Sequence, residues 1–539
     1  MFKSVNKFSI IFLVTIILLA LSFQNAKSIQ NIVPENRRID WQPGITSGIP
    51  DYPVSENVKD FGAVGDGIVD DTQSFESAIN AAAAGSAVYI PAGTYLISST
   101  LEIGKGIVLK GEGHQNSKLK FSMSSGGACI KIVKWGGSDW ADITSGFSKG
   151  SNSITVSNVS HFNVGDFVEI RQDNDPAVFT PRSSGSESWG DACVGQILEI
   201  IEKSGNTLIF SKVLYYNYNS SMNPRIRRIK LVKGAGVENL YIERVSANNY
   251  GSNIELLNAA YCWIKKVWSE KTITAHVFCS RTYCCEIRDS YFFDSQDHGS
   301  GGKGYGVRME ERSTDNLIEN NIFKRLRHSI VVQLGATGNV FGYNYSKDPF
   351  FEGGNNWLMP DVANHGHYPY LNLFEGNIVQ QISIDNVHGT NGPTTIFRNR
   401  IEKDVSHYLS GTEKFSFIEI EDNNPYQNII GNELGIESTQ AYEPIKLDPS
   451  IANSIIVHGN YNFNNNALLW EANIADHNLP ASLYLNQKPS WFGSLPWPVL
   501  GGDISPNMNK IPAQQRYQNN RFIPGSPSPP QNLRANIRY

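Results

Sequence analysis

Cysteine is scarce in this chain: six residues in 539, with no Cys-x-x-Cys pair. That spacing argues against the common structural zinc modules, and six thiols are too few for a disulfide scaffold at this length. Charge is scarce as well. Lys, Arg, Asp and Glu make up 18% of the residues and the net charge is -5. A nucleic-acid binder carries a basic excess, and none is present. A mildly acidic protein can still present a local basic groove, so an acidic polysaccharide stays open as a partner. Apolar runs of the roughly 20 residues needed to span a bilayer are also missing. The run from Phe8 to Phe23 falls short of that length, follows Lys3 and Lys7, and precedes the small residues around Ala26-Lys27-Ser28. This order reads as a secretory signal over residues 1–28. The expectation is a secreted, periplasmic or cell-surface protein with no membrane span once the signal is removed. The sequence does not decide the oligomeric state.

What is present begins with Val58 to Tyr95. A glycine-punctuated loop (Gly62, Gly65, Gly67) leads to Asp70-Asp71 at the N-cap position of a helix. Phe75, Ala78, Ile79 and Ala82 give that helix one apolar face, and Gly85 stops it. A strand, Ala87-Val88-Tyr89-Ile90, and a Pro-Ala-Gly turn follow. The stretch resembles the N-terminal capping segment of the pectin-lyase-like right-handed parallel β-helices. The resemblance implies an all-β solenoid with an N-terminal capping helix. It leaves the reaction open, because that fold hosts lyases, hydrolases, epimerases, transferases and phage tailspikes.

The chain also repeats itself. Ile264 aligns with Ile287, Ile318 with Phe341, Leu373 with Ile396 and His365-Gly366 with His388-Gly389, each at an offset of 23. Such a period is the mark of a solenoid, whose coils bury one another's apolar faces. Asn321, Asn344, Asn377, Asn432 and Asn460 recur at the turns and predict a ladder of side-chain amides. The expected organisation is a lead-in over 29–57, cap and first coils over 58–139, a small antiparallel β insert over 140–220, the main β-helix over 221–463, and a C-terminal cap and tail over 464–539.

In a solenoid the chemistry sits on outward strand positions and long loops. Two loops lengthen the repeat, at 294–305 and 348–368. Alternation in Val307-Arg308-Met309-Glu310 points Arg308 and Glu310 outward. Adding 23 puts Gln333 beside Glu310, with Arg327 and Ser329 on the same face and His328 between them. Asp385 is outward by the same alternation, His388 stacks on His365, and Asp361 lies four residues before His365. These residues form the candidate catalytic set: His365, His388, Arg327, His328, Glu310, Asp361 and Asp385. Lys303, Arg308, Gln333, Trp357, His367, Asp297 and His298 are the candidate substrate contacts. The acids and imidazoles could coordinate a metal, yet their spacing matches no standard motif; calcium is the one cofactor left open.

Three functions compete. A polysaccharide lyase acting on a uronate glycan by β-elimination needs carboxylate neutralisation by Arg or amide donors and a base such as histidine. A glycoside hydrolase needs two carboxylates, here from Glu310, Asp361 and Asp385, roughly 5–9.5 Å apart. A non-catalytic carbohydrate-binding β-helix needs outward aromatic platforms, with Trp357, Trp189, Tyr368 and Tyr370 available. The polygalacturonase motifs of the resembled fold are not reproduced. The only Asp-Asp is Asp70-Asp71, Asn364 precedes His365, and Arg228-Ile229-Lys230 comes before every other candidate. The Arg-x-Pro-x-x-Arg motif of calcium-dependent pectate lyases is absent. The concentration of histidine and arginine with the acids favours an enzyme over a binder, and the lyase is the leading expectation.

Overall fold

The computed structural model describes residues 29–180, 190–246, 250–353, 359–403, 415–436, 443–504 and 509–524. The expected signal peptide lies outside them. The chain winds into a parallel β-helix whose coils each give one strand to three sheets. One coil shows the pattern: Trp263–Lys265 in the first sheet, Trp268–Thr272 in the second, Ala275–Tyr283 in the third. The sheets hold 12, 13 and 11 strands respectively. Inward side chains such as Ile264, Ile287, Ile318, Phe341, Phe374 and Ile396 fill one continuous core. Ile318 pairs with Phe341 on the next coil, as the repeat predicts.

Amide ladders hold the coils in register. Asn321, Asn344, Asn377, Asn399, Asn432 and Asn460 stack at the turn between the first and second sheets. Each Nδ2 donates to the next Oδ1 at 2.9–3.1 Å, and each backbone N–H donates to the same oxygen. The asparagines do not themselves take the left-handed conformation. The residue before each one does: Asn320, Tyr343, Gly376, Arg398, Gly431 and Gly459 all have φ between 51 and 69°. A left-handed non-glycine residue is strained by about 1–3 kcal/mol, and the fully bonded amide beside it offsets that cost. The ladder also corrects the alignment of Leu373 with Ile396. Asn377 bonds Asn399, so Phe374 pairs with Ile396 at an offset of 22.

At the capping helix, Thr72–Ala81, Phe75, Ala78 and Ile79 are buried as expected. Its two aspartates divide the work. Asp70 accepts from the Thr72 N–H at 3.0 Å, whereas Asp71 turns back to accept from Val64 and Gly65 of the glycine loop.

Between Ala141 and Ile229 six strands close into an antiparallel barrel. Its last strand, Arg225–Ile229, runs past the expected limit of 220. The barrel docks on the turns leaving the third sheet. Glu169 is fully buried there, 2.6 Å from Arg312 Nε and 2.6 Å from Arg227 Nη2. Burial alone would raise this carboxyl, but Arg312, Arg227 and Arg281 outweigh it and hold it at about 2. Lys212 and Tyr215 both reach Asp315 across the same junction. All six cysteines are buried free thiols.

The chain ends cover two of the three outer faces. Ile29, Ile32, Val33 and Trp41 of the lead-in pack on Leu317, Val340, Leu373 and Phe397 of the first sheet. The segment expected as a C-terminal cap is divided. Ala467–Leu469 adds one antiparallel strand to the second sheet. Phe492, Val499, Leu500, Ile511 and Ile523 then run back over that sheet's outer face, on Tyr291, Ile322 and Tyr345. Among the described residues no such strap covers the third sheet.

Two outcomes follow. Asn377→Ala removes the acceptor of two Asn344 bonds and two donations of its own. Stability is expected to fall by roughly 2–4 kcal/mol, since buried donors are left unmet, measured by denaturant unfolding. Glu169 has a depressed native pKa, so its contribution is full above the ordinary carboxylate value and is lost as pH falls through about 2. Glu169→Gln should therefore destabilise the protein by about 3–5 kcal/mol at neutral pH. The difference from the parent should narrow as pH drops below about 4, read by thermal melts across pH.

Candidate functional site

Among the described residues the third sheet carries one polar column, in which Glu310, Gln333 and Asp385 are buried and His365 and Glu421 are partly exposed. Glu310, Gln333, His365, Asp385 and Glu421 take equivalent places on successive strands, Glu310 as the last residue of its strand and the others directly after theirs. The backbone bonds Gln333 N–H to Met309, His365 N–H to Val332, Asp385 N–H to Asn364 and Glu421 N–H to Ile384 fix that register at 2.9–3.1 Å. Neighbours in the column are about 5 Å apart at the backbone. Beside it runs a second column, Arg308, Val331, Ala363 and Ser383, of which the last three are buried. The barrel lies on one side, where the Thr180 N–H donates to Thr390 Oγ1 at 2.9 Å. The loops at 294–304 and 348–353 lie on the other.

At the centre His365 Nδ1 lies 2.7 Å from Asp385 Oδ2. A carboxylate only accepts, so Nδ1 carries the proton and Nε2 is left to exchange one. The second oxygen of Asp385 accepts from the Val387 N–H at 3.0 Å, which fixes the carboxylate plane. His388 sets its ring edge-on to His365, with centroids 4.6 Å apart. Gln333 Nε2 donates to the His365 carbonyl at 3.2 Å. Glu310 is buried against Arg308, whose Nε donates to it at 2.5 Å. Burial raises the Glu310 carboxyl above its ordinary range, opposed by Arg308 and by His365. Burial likewise raises Glu421, which accepts from the Asn386 N–H at 3.0 Å, and Asp385 adds to that rise.

The other expected residues are elsewhere. Asp361 is fully buried and turned into the corner between the second and third sheets, where its oxygens accept from the Gln380 and Gln381 N–H groups at 2.9 and 2.7 Å. It is a structural carboxylate. His328 is buried, bonded to the Pro360 carbonyl and packed on Tyr305. Burial and then Arg327 push it far below the ordinary histidine range, so it stays neutral. Arg327 pins the Gly299 carbonyl and lies over Tyr305 and Phe351, holding the loop wall. Ser329 is not outward; its hydroxyl meets Ser346 inside the helix at 2.8 Å. Lys303 is paired with Asp297 at 2.5 Å on the loop rim. His298 is buried, bonds the Arg325 carbonyl and packs on Phe350. His367 is buried with its ring near Phe179 of the barrel insert and near His388. Trp357 and Trp189 lie outside the described residues. Tyr368 and Tyr370 are buried beside Tyr216 and present no exposed platform. With Asp361 turned away, the imagined metal set breaks up. No group of three or more His, Cys, Asp or Glu is placed to hold a metal ion among the described residues. Glu421 was not among the expected residues. It sits 36 residues after Asp385, an offset the 23-residue period does not reach.

Comparison with known proteins fits this architecture. The family described as "Rhamnogalacturonase A/epimerase, pectate lyase-like" matches residues 55–173. A pre-neck appendage protein of Bacillus phage phi29 is 41% identical over 70 residues, 13% of this chain and 8% of its own length. A mannuronan C5-epimerase of Azotobacter vinelandii is 51% identical over 59 residues, 11% of each chain. The chain thus spans about a tenth of the curated relatives it matches. Among solved structures, the tailspike gp61 of Pseudomonas phage phi297 superposes with a TM-score of 0.51 at 13% identity, covering 76% of this chain and 75% of the tailspike. That likeness is one of fold. With the capping segment, the three stacked sheets and the family match over residues 55–173, it fits a parallel β-helix of the pectin-lyase-like superfamily.

Proposed function

We propose that the chain is an exported polysaccharide lyase that cleaves a uronate-containing glycan by β-elimination at the polar column of the third sheet. The observation that carries this reading is the His365–Asp385 pair, 2.7 Å apart in the polar column of the third sheet. Asp385 orients the imidazole and stabilises its charged form. His365 Nε2 takes the C5 proton of a uronate. The C5–H electrons form the C4=C5 double bond and the C4–O4 bond breaks. The leaving oxygen takes a proton, for which His388, edge-on to His365, is the nearest imidazole. Arg308 and Gln333 neutralise the substrate carboxylate, which lowers the cost of forming the carbanion. Glu310 orients Arg308.

The hydrolase alternative changes its residues. Glu310 and Asp385 stand three coils apart, about 14 Å at the backbone, beyond the spacing that flanks one glycosidic bond. Asp361 is buried inside. Only Asp385 and Glu421, on adjacent strands, have suitable spacing, and Asp385 is already engaged by His365.

The test begins with a panel of uronic and neutral polysaccharides, read for conjugated double bonds and for reducing ends. On the active substrate, His365→Ala should lower kcat by about 10²-fold or more. Asp385→Asn, which accepts less well and misorients the ring, should lower it by at least about 10-fold. Melting temperature of the His365→Ala variant should stay near that of the parent, because that side chain is partly exposed and leaves no core cavity. Full activity in both variants, or new reducing ends without double bonds, would overturn the lyase assignment.

A further inference from the structure

A cavity of about 650 Å³ lies between the barrel and the coils that precede the polar column. Its lining includes Trp135, Asp139, His161, Arg227, Arg228 and Arg281. Three guanidinium groups face one carboxylate, so the cavity favours anions. Arg227 and Arg281 have strong partners outside it, in Glu169 and Glu311. Arg228 does not. Its nearest acid, Asp166, is 3.9 Å away, and its Nε is buried with no hydrogen-bond partner. The Arg228 side chain is nonetheless 30% exposed, so its terminal N–H groups can meet an anionic acceptor in the cavity. Trp135 stands at the same site with 63% of its surface exposed, a large apolar ring with the Lys131 ammonium 6.0 Å from its centroid. Exposed aromatic faces next to charged donors suit a ligand with an apolar face and an anionic group.

Position links the cavity to the column. Asn258 and Arg281 line it, and each follows directly on a column position, Leu257 and Ser280, which pair in register toward Glu310. Three coils, about 14 Å, separate the Arg281 strand from the His365 strand. We propose that this cavity is a distal subsite for acidic sugar units of the same polysaccharide, with the anionic group on Arg228 and the sugar ring on Trp135. This rests on the reading that the substrate is an anionic glycan running along the third sheet.

The experiment is affinity electrophoresis of the full chain in native gels cast with polygalacturonate, alginate, carrageenan or amylose. Retardation by the carboxylated polymers and not by amylose is expected. Arg228→Ala and Trp135→Ala should each weaken that retardation about 10-fold or more. Trp135 is exposed, so its variant should melt like the parent and separates lost binding from lost folding. On long substrates both variants should raise KM and leave kcat unchanged; on oligomers too short to reach the cavity neither should matter. Retardation by carrageenan that Arg228→Ala abolishes supports the subsite with a sulfate ester as its anion. Unchanged retardation in both variants overturns the proposal. If His365→Ala keeps full turnover while Arg228→Ala still weakens retardation, the lyase reading falls and the subsite stands.

Discussion

The structure depends on a repeated hydrogen bond between amide side chains. A coil of this helix cannot bury its own apolar residues, so each must sit squarely on the next. The asparagine ladder from Asn321 to Asn460 sets that seating, because one Oδ1 receives both the N–H and the Nδ2 of the coil before it. A shift by one residue would strand both donors and turn every inward side chain out. The ladder therefore decides more than stability. It aligns Glu310, Gln333, His365, Asp385 and Glu421 as one column, although loops of different length separate them in sequence.

Covering of the faces then selects where that alignment can matter. The lead-in lies on the first sheet and the C-terminal segment on the second. Both bury apolar outer residues that would otherwise face water. The third sheet carries its polar column instead, flanked by a barrel anchored through the buried Glu169 and its arginines. An anchor of that kind gives a defined seat more than net stability, since two or three buried charges cost much of what their pairing returns. A fixed barrel wall keeps the polar column and the cationic cavity in constant relation.

Much of the fold was legible in the sequence, and the reason is periodicity. Ile318 and Phe341, or Ile264 and Ile287, are equivalent because identical turns return the chain to the same place. Errors arose where a period ceases to apply. The alignment of Leu373 with Ile396 matched apolar residues and missed that Asn377 and Asn399 set the offset. Ser329 was expected outward by alternation, and Asp361 was grouped with the site because it lies four residues before His365. At the corner entering the third sheet two successive residues point inward, Ser329 with Ile330 and Asp361 with Val362, so alternation fails there. The site was partly legible: Glu310, Gln333, His365, Asp385 and His388 do come together. Glu421 was hidden by a long intervening loop. Burial of His328 and His298 depends on the Pro360 and Phe350 segments folding back, which no local pattern encodes.

The central claim is that His365 removes a proton from carbon rather than assisting attack on a glycosidic bond. Its most direct test is turnover of a uronate polymer deuterated at C5 against the protiated polymer. The account predicts slower turnover of the deuterated chain, with loss of the C5 deuterium and a 4,5-unsaturated residue at each new end. Equal rates, with C5 deuterium retained in products that carry only new reducing ends, would contradict it.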